Sequence, residues 1–270
     1  MQRISARFET VRRTNRKGFI PFVTAGDPDI ETSLQIVLTL VECGADVIEL
    51  GVPFSDPMAD GPTIQASSMR ALENGVSVSG VLEMVRQIRK ETDVPIVLFS
   101  YLNPLYCYGI ERLGADAAAA GVDGVLITDA VDQEAADIGK LLKSKGLDLI
   151  SLVAPTTTDR RLAEICIRAS GFIYAVSRAG VTGAQTEPSI SAERLVSRVR
   201  KFTDLPVAVG FGISTREQIE DVWRYADAAV VGSAIVAEIG QISNGDESAA
   251  HVRDFVAGLL PAVANTAAES

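Results

Sequence analysis

Eight short runs of β-branched and other apolar residues, each followed by a longer amphipathic stretch, divide the chain into units of similar length. The runs are Phe19–Thr24, Asp46–Leu50, Pro95–Tyr101, Gly124–Thr128, Leu149–Val153, Phe172–Val176, Val207–Gly210 and Ala228–Val231. Several are almost wholly apolar, as strands covered on both faces must be. Strands alternating with helices make repeated βαβ units and a parallel sheet. Eight such units close on themselves as a (β/α)8 TIM barrel, which takes about 250 residues and fits one domain spanning 1–270. An open doubly wound sheet is the rival, but no GxGxxG follows the first strand. Helical stripes recur at Leu34, Val37, Leu38 and Val41, at Val81, Met84, Val85 and Ile88, and at Val252, Phe255, Val256 and Leu259. Gly44, Gly121 and Gly146 stand where helices should close in a left-handed conformation. Met1 to Arg16 places Ile4, Phe8 and Val11 at helical spacing, so an extra N-terminal helix over 1–16 is expected, and the Ala-rich end over 263–270 is expected to fray.

Charge removes several functions. A formal net charge of −10 argues against a surface built for nucleic acid, which needs clustered Lys and Arg. No run of about 18 apolar residues would span a membrane, and residues 1–16 lack the apolar core and cleavage site of a secretory signal. Cys43, Cys107 and Cys166 are odd in number and far apart, which fits reduced thiols and a cytoplasmic location. His251 is the only histidine and falls in a helical tail, so neither a histidine triad nor a zinc site is expected.

Barrel chemistry sits at the carboxyl ends of the strands. There, Glu49 is the next-to-last residue of the expected second strand, a carboxyl aimed inward among apolar neighbours. Burial raises its pKa towards the range in which it both gives and takes a proton. The plainer reading is a buried Glu satisfied by backbone amides or a lysine. The loop that follows, from Gly51 to Thr63, carries three prolines and two acids. Its stiffness can hold Asp60 across from Glu49, although Asp60 before Gly61 could equally organise a turn. Asp56 is the weaker catalyst, and Asp27, Asp56 and Asp60 match no ordinary metal loop, so no metal is expected.

Three glycine-bearing segments follow the sixth, seventh and eighth strands: Ser177 to Ala184, Gly210 to Ser214, and Gly232 to Ile235. Glycine lets backbone amides approach phosphate oxygens, Ser233 opens an expected short helix, and the loops after strands 7 and 8 are the usual barrel phosphate site. A phosphorylated small molecule is the expected ligand.

Taken together, Pro21 to Pro28, Glu49 to Pro57 with Ala59 to Gln65, Ser177-Arg178 with Gly180 to Gly183, Gly210 to Ile213, and Gly232 to Val236 resemble the tryptophan synthase alpha subunit family over about residues 1–262. The resemblance implies retro-aldol cleavage of indole-3-glycerol phosphate to indole and glyceraldehyde 3-phosphate. It implies no cofactor in this subunit, with pyridoxal phosphate only in a beta subunit that accompanies it as alpha2beta2. Glu49 would protonate indole C3 and then serve as base on the glycerol hydroxyl, while Asp60 would meet the indole N–H. Phe22, Ile64, Phe99, Tyr101, Leu126, Tyr174 and Phe211 would wall the indole slot, although periodicity alone makes most of them core. Gly183, Gly212, Gly232 and Ser233 would cradle the phosphate. The loop from Ser177 to Pro188 would close over substrate and bring Thr182 to Asp60. Pro53, Asp56, Asn103 and Pro104 match the partner-facing pattern.

Two features depart from the family. Val131 stands where it usually has proline, which implies a less rigid loop after the fourth strand and weaker activation by the partner. Residues 241–247 read as an inserted loop before the last helix. Two alternative functions keep the same fold: a stand-alone lyase that releases free indole, and a silent barrel retained as an allosteric partner. A synthase that builds the indole ring would use a catalytic lysine on a strand, and none stands at such a position.

Overall fold

A computed structural model describes residues 2–176, 188–210, 212–241 and 245–261. Eight parallel strands close into a barrel in sequence order: β1 (Gly18–Thr24), β2 (Ile48–Gly51), β3 (Ile96–Ser100), β4 (Gly124–Ile127), β5 (Asp148–Val153), β6 (Ile173–Val176), β7 (Val207–Gly210) and β8 (Ala228–Val231). Around it run α1 (Arg3–Arg13), α2 (Ile30–Glu42), α3 (Pro62–Glu73), α4 (Val78–Glu91), α5 (Leu102–Tyr108) and α6 (Ile110–Ala120). The ring continues with α7 (Asp132–Ser144), α8 (Asp159–Arg168), α9 (Pro188–Val199), α10 (Arg216–Tyr225), α11 (Ser233–Ile239) and α12 (Gly245–Leu259). No helix among the described residues is long and apolar enough to cross a membrane.

Strand residues alternate between two cores. Outward positions such as Val23, Leu50, Leu98 and Val125 pack with the helices. Inward positions fill the barrel with Ile20 and Phe22, Val47, Val97 and Phe99, Leu126, Ile150, Phe172 and Tyr174, Ala208, Ala228 and Val230. This two-residue repeat puts Glu49, two positions after Val47, inside the barrel. Helix α1 lies across the opposite end, where Ile4 and Phe8 join the interior cluster and the Phe8 ring lies 5.7 Å from that of Phe172.

The amino ends of the strands share one device. Asp46, Asp123 and Asp227 each accept a backbone N–H from the preceding strand, from Phe19 (2.9 Å), Ile96 (2.8 Å) and Val207 (2.8 Å) respectively. Arg7 and Arg16 reach Asp46, and Arg3 and Arg89 reach Asp123, so α1 is fastened beneath the barrel by paired, hydrogen-bonded charges. In barrels of this kind this face serves stability and the other carries the chemistry.

Three sequence expectations shift. The second strand begins at Ile48, not Asp46, because the Asp46 side chain is spent on Phe19 and Val47 precedes the ladder. In α2 the buried face is Thr32, Ser33, Ile36, Val37, Thr39 and Leu40, while Leu34, Leu38 and Val41 lie only partly buried along its edge. The expected loop over 241–247 is shorter, since α12 already begins at Gly245. The stripes of α4 and α12 hold, with Phe255 partly buried. Gly44, Gly121 and Gly146 all take positive φ, at 95°, 92° and 79°.

Candidate active site

The site lies at the carboxyl end of the barrel, between the ends of β1, β2 and β3 and the loop that links β2 to α3. Register places Phe22 of β1 beside Glu49 of β2, and Glu49 beside Val97 of β3. Glu49 is 0% exposed, and neither carboxyl oxygen finds a hydrogen-bond partner among the described residues. Desolvation therefore holds its pKa well above the ordinary carboxyl value. The plainer alternative for Glu49, a structural carboxylate with amide or lysine partners, finds no such partner among the described residues. A buried carboxyl without partners is costly to ionise, so burial favours its protonated form.

Asp60 approaches from the loop. Its backbone N–H donates to Pro57 O (3.0 Å), and Gln65 Nε2 donates to its carbonyl (2.8 Å), which leaves the carboxyl free to face the cleft. Gly61 has an ordinary φ of −74° and Pro62 opens α3, so the turn does not depend on the Asp60 side chain. Burial pushes the Asp60 carboxyl up to about 6, opposed by a hydrogen bond from Tyr101. A narrow cleft is lined by Asp60 together with Phe22, Ile64, Phe99 and Tyr101, and also by Thr24, Gly51, Val52, Ser68 and Ser100. Four expected slot residues thus converge on one carboxyl.

The rest of the expected set is distributed as follows. Leu126 and Tyr174 lie deeper, in the barrel interior beneath the cleft. The Tyr174 phenol is pushed well above its ordinary pKa, first by burial and then by the charges of Glu49 and Asp60, so it sits within the field of both. Ser233 does open α11 and is exposed, with Gly232 half-buried before it. Gly212 has φ 80° and nothing within 4 Å of where a Cβ would stand, so its backbone is open to a ligand. Thr182, Gly183 and Phe211 fall outside the described residues, as does the loop expected to close over substrate.

Sequence reasoning missed Thr24, Val52, Ser68 and Ser100 in the cleft. Thr24 and Ser100 end their strands, so the rule that strand ends carry chemistry could have found them. Asp27 is drawn away from Asp60 into a bidentate pair with Arg70, at 2.7 and 2.8 Å. A second hollow opens at the opposite end, between Phe8, Val11, Arg12 and Pro206, but its one carboxylate, Asp227, already binds Val207 N–H and Arg200. The cleft at the carboxyl end is the one that Asp60 lines; Glu49 is not among its lining residues and lies beside Phe22 in the barrel interior.

The surface expected to face a partner surrounds this cleft. Asp56 and Asn103 are exposed, Pro104 is half-buried and Pro53 is buried. Met58, Tyr106 and Val131 are exposed apolar side chains on the loops and helix that follow β2, β3 and β4. At Val131 the backbone takes φ −132° and ψ 160°, a φ that proline cannot adopt.

The chain is similar to known proteins over most of its length. The family described as tryptophan synthase alpha chain matches residues 8–263. A tryptophan synthase alpha chain of Citrifermentans bemidjiense is 52% identical over 236 residues, covering 87% of this chain and 88% of that protein. The Acidiphilium cryptum alpha chain is 48% identical over 269 residues, 97% of this chain and 98% of that one. Among solved structures, the alpha chain from Legionella pneumophila superposes with a TM-score of 0.84 at 34% identity, covering 96% and 97% of the two chains. A structure described as showing mutual activation of the tryptophan synthase a2b2 complex from Pyrococcus furiosus gives 0.81 at 39% identity, covering 90% and 97%.

Proposed function

Since the chain belongs to the tryptophan synthase alpha chain family, we propose that Glu49 and Asp60 are the pair that acts on its substrate. The reaction is carbon–carbon lysis: indole-3-glycerol phosphate is cleaved to indole and D-glyceraldehyde 3-phosphate in the biosynthesis of tryptophan.

Breaking the bond between the indole ring and the glycerol carbon leaves an electron pair on ring carbon C3 unless that carbon is protonated first. Glu49, buried and protonated, gives C3 its proton and becomes a carboxylate. That carboxylate removes the proton of the glycerol hydroxyl as the carbon–carbon bond breaks, the hydroxyl becomes the aldehyde carbonyl, and the ring regains aromaticity as indole. Glu49 ends as it began. Protonation at C3 makes the ring nitrogen positive, and Asp60, ionised near neutral pH, offsets that charge by accepting the N–H. All the protons move between substrate and this chain, so the reaction calls for no cofactor here, and pyridoxal phosphate is assigned to the beta partner.

Phe22, Ile64, Phe99 and Tyr101 give the indole an apolar slot open at the Asp60 side. Gly212, Gly232 and Ser233, with Gly183, are assigned to the phosphate; the open backbone at Gly212 and the exposed Ser233 support this. Thr182 is assigned to Asp60 in a closed loop. The exposed face around Asp56, Asn103 and Pro104 is assigned to a beta subunit, in an alpha2beta2 assembly located in the cytoplasm.

The observation that carries this reading is the unpartnered Glu49 carboxyl beneath a cleft that Asp60 lines. Indole release by the parent chain, Glu49→Gln and Asp60→Asn, each with and without a beta subunit, tests it.

A further inference from the structure

The loop from Val52 to Gly61 carries Asp60, and the structure shows what fastens it. Tyr101, the first residue after β3, touches this loop in three places. Its ring lies 5.3 Å from the Phe54 ring, its hydroxyl accepts the Ala59 backbone N–H at 2.9 Å, and that hydroxyl lies near enough to the Asp60 carboxyl to favour its ionised form. The next residue is fixed in turn, since Leu102 N–H donates to Asp129 Oδ1 at 2.7 Å in the loop after β4. The loop's other hydrogen bonds among the described residues lie at its ends or within its own turns: Val52 N–H donates to Phe99 O, Gln65 Nε2 donates to the Asp60 carbonyl, and Met58 N–H to Asp56 O and Asp60 N–H to Pro57 O are internal.

We propose that Tyr101 is a positioning residue for the reaction: its hydroxyl pins Ala59 and aims the Asp60 carboxylate at the indole nitrogen. The phenol suits this because its oxygen accepts from the Ala59 amide and its single proton is left for the neighbouring Asp60. A phenylalanine would wall the slot equally well, so the hydroxyl needs an explanation that slot lining does not supply. The charged and titratable groups around Asp60 are Tyr101 itself, Tyr174 from β6, Glu49 from β2 and Asp129 beside Tyr101. Of these, Tyr101 favours the ionised carboxylate, against the burial that disfavours it. Losing the hydroxyl therefore raises the pH at which Asp60 gains its proton.

The inference rests on Asp60 acting at the ring nitrogen. Tyr101→Phe in the full chain removes one oxygen and keeps the ring against Phe54. With indole-3-glycerol phosphate as substrate, kcat should fall several-fold, KM should stay within about twofold, and the acidic limb of the pH profile should move up by about one unit. In an Asp60→Asn background the same substitution should change kcat by less than about twofold, because the two side chains act as one unit. An unchanged kcat and limb in the parent background, with or without a raised KM, would overturn the proposal, as would an equal loss in both backgrounds. Asp60→Asn alone at full activity overturns the assignment of Asp60, and this inference with it. An impaired Asp60→Asn beside an unaltered Tyr101→Phe overturns this inference alone.

Discussion

A Cβ added to Gly210 would stand 2.1 Å from the Tyr174 hydroxyl oxygen and 2.7 Å from the ring carbon that carries it. Glycine at the end of β7 therefore lets the Tyr174 side chain cross the barrel interior towards Glu49. Gly210→Ala must push Tyr174 aside, and a rigid ring among Phe99, Leu126 and Leu152 has little room to move. Overpacking of this kind costs about 1–3 kcal/mol. Urea unfolding should show that loss, together with slower indole release, whereas Gly258→Ala, with nothing within 4 Å, should keep or raise the unfolding midpoint.

The pH dependence of activity follows from Asp60. Its carboxyl titrates at about 6, and only the ionised form offsets a positive ring nitrogen. Activity should therefore fall as pH drops through about 6, and the kcat/KM profile of the parent should show that limb. Asp60→Asn, which cannot titrate, should lose the limb and run at a lower plateau. A limb retained unchanged in Asp60→Asn belongs to another group.

At the other end of the barrel, Asp148 Oδ2 is buried without a hydrogen-bond partner among the described residues. Desolvation raises the Asp148 pKa above 3.8, against a hydrogen bond from Ser170. The folded chain thus binds this proton more tightly than the unfolded chain, so stability is lost as pH rises through the window above 3.8. Asp148→Asn should abolish that loss and stabilise the protein by on the order of 1–2 kcal/mol near neutral pH. Thermal melts of both proteins should converge in acid and separate as pH rises; a variant less stable at neutral pH would mean that the carboxylate is needed.

Substrate phosphate gives a fourth handle. Ser233→Asp puts a negative charge at the exposed start of α11, where the phosphate is assigned. KM should rise about tenfold or more while kcat changes less, because the phosphate is bound alike in ground and transition states. Inorganic phosphate should inhibit the parent competitively and the variant weakly.

The barrel was legible because its strands are covered on both faces, so each reads as a short apolar run between amphipathic stretches. Where polar residues are buried, that signal fails. Thr32, Ser33 and Thr39 face the core from α2, and Ser33 Oγ accepts the Gly26 N–H, so hydropathy placed the helix face one residue away. Asn244-Gly245 reads as a turn, yet Gly245 already opens α12. Glu49 and Asp60 stood out because an acid at the end of an apolar strand and an acid in a proline-stiffened loop are unusual. Tyr101 was read only as an aromatic wall. Its partners, Phe54 and Ala59, lie more than forty residues away, and no periodicity marks a contact between two loops.

The central claim is that one carboxyl, without hydrogen-bond partners at the heart of the barrel, moves the decisive proton. Glu49→Gln keeps the side chain's shape and removes its acid. Multiple-turnover indole release from indole-3-glycerol phosphate, with substrate binding measured in parallel, should show a rate about 10²–10⁴-fold lower at nearly unchanged affinity. Glu49→Gln releasing indole at the parent rate would contradict the account.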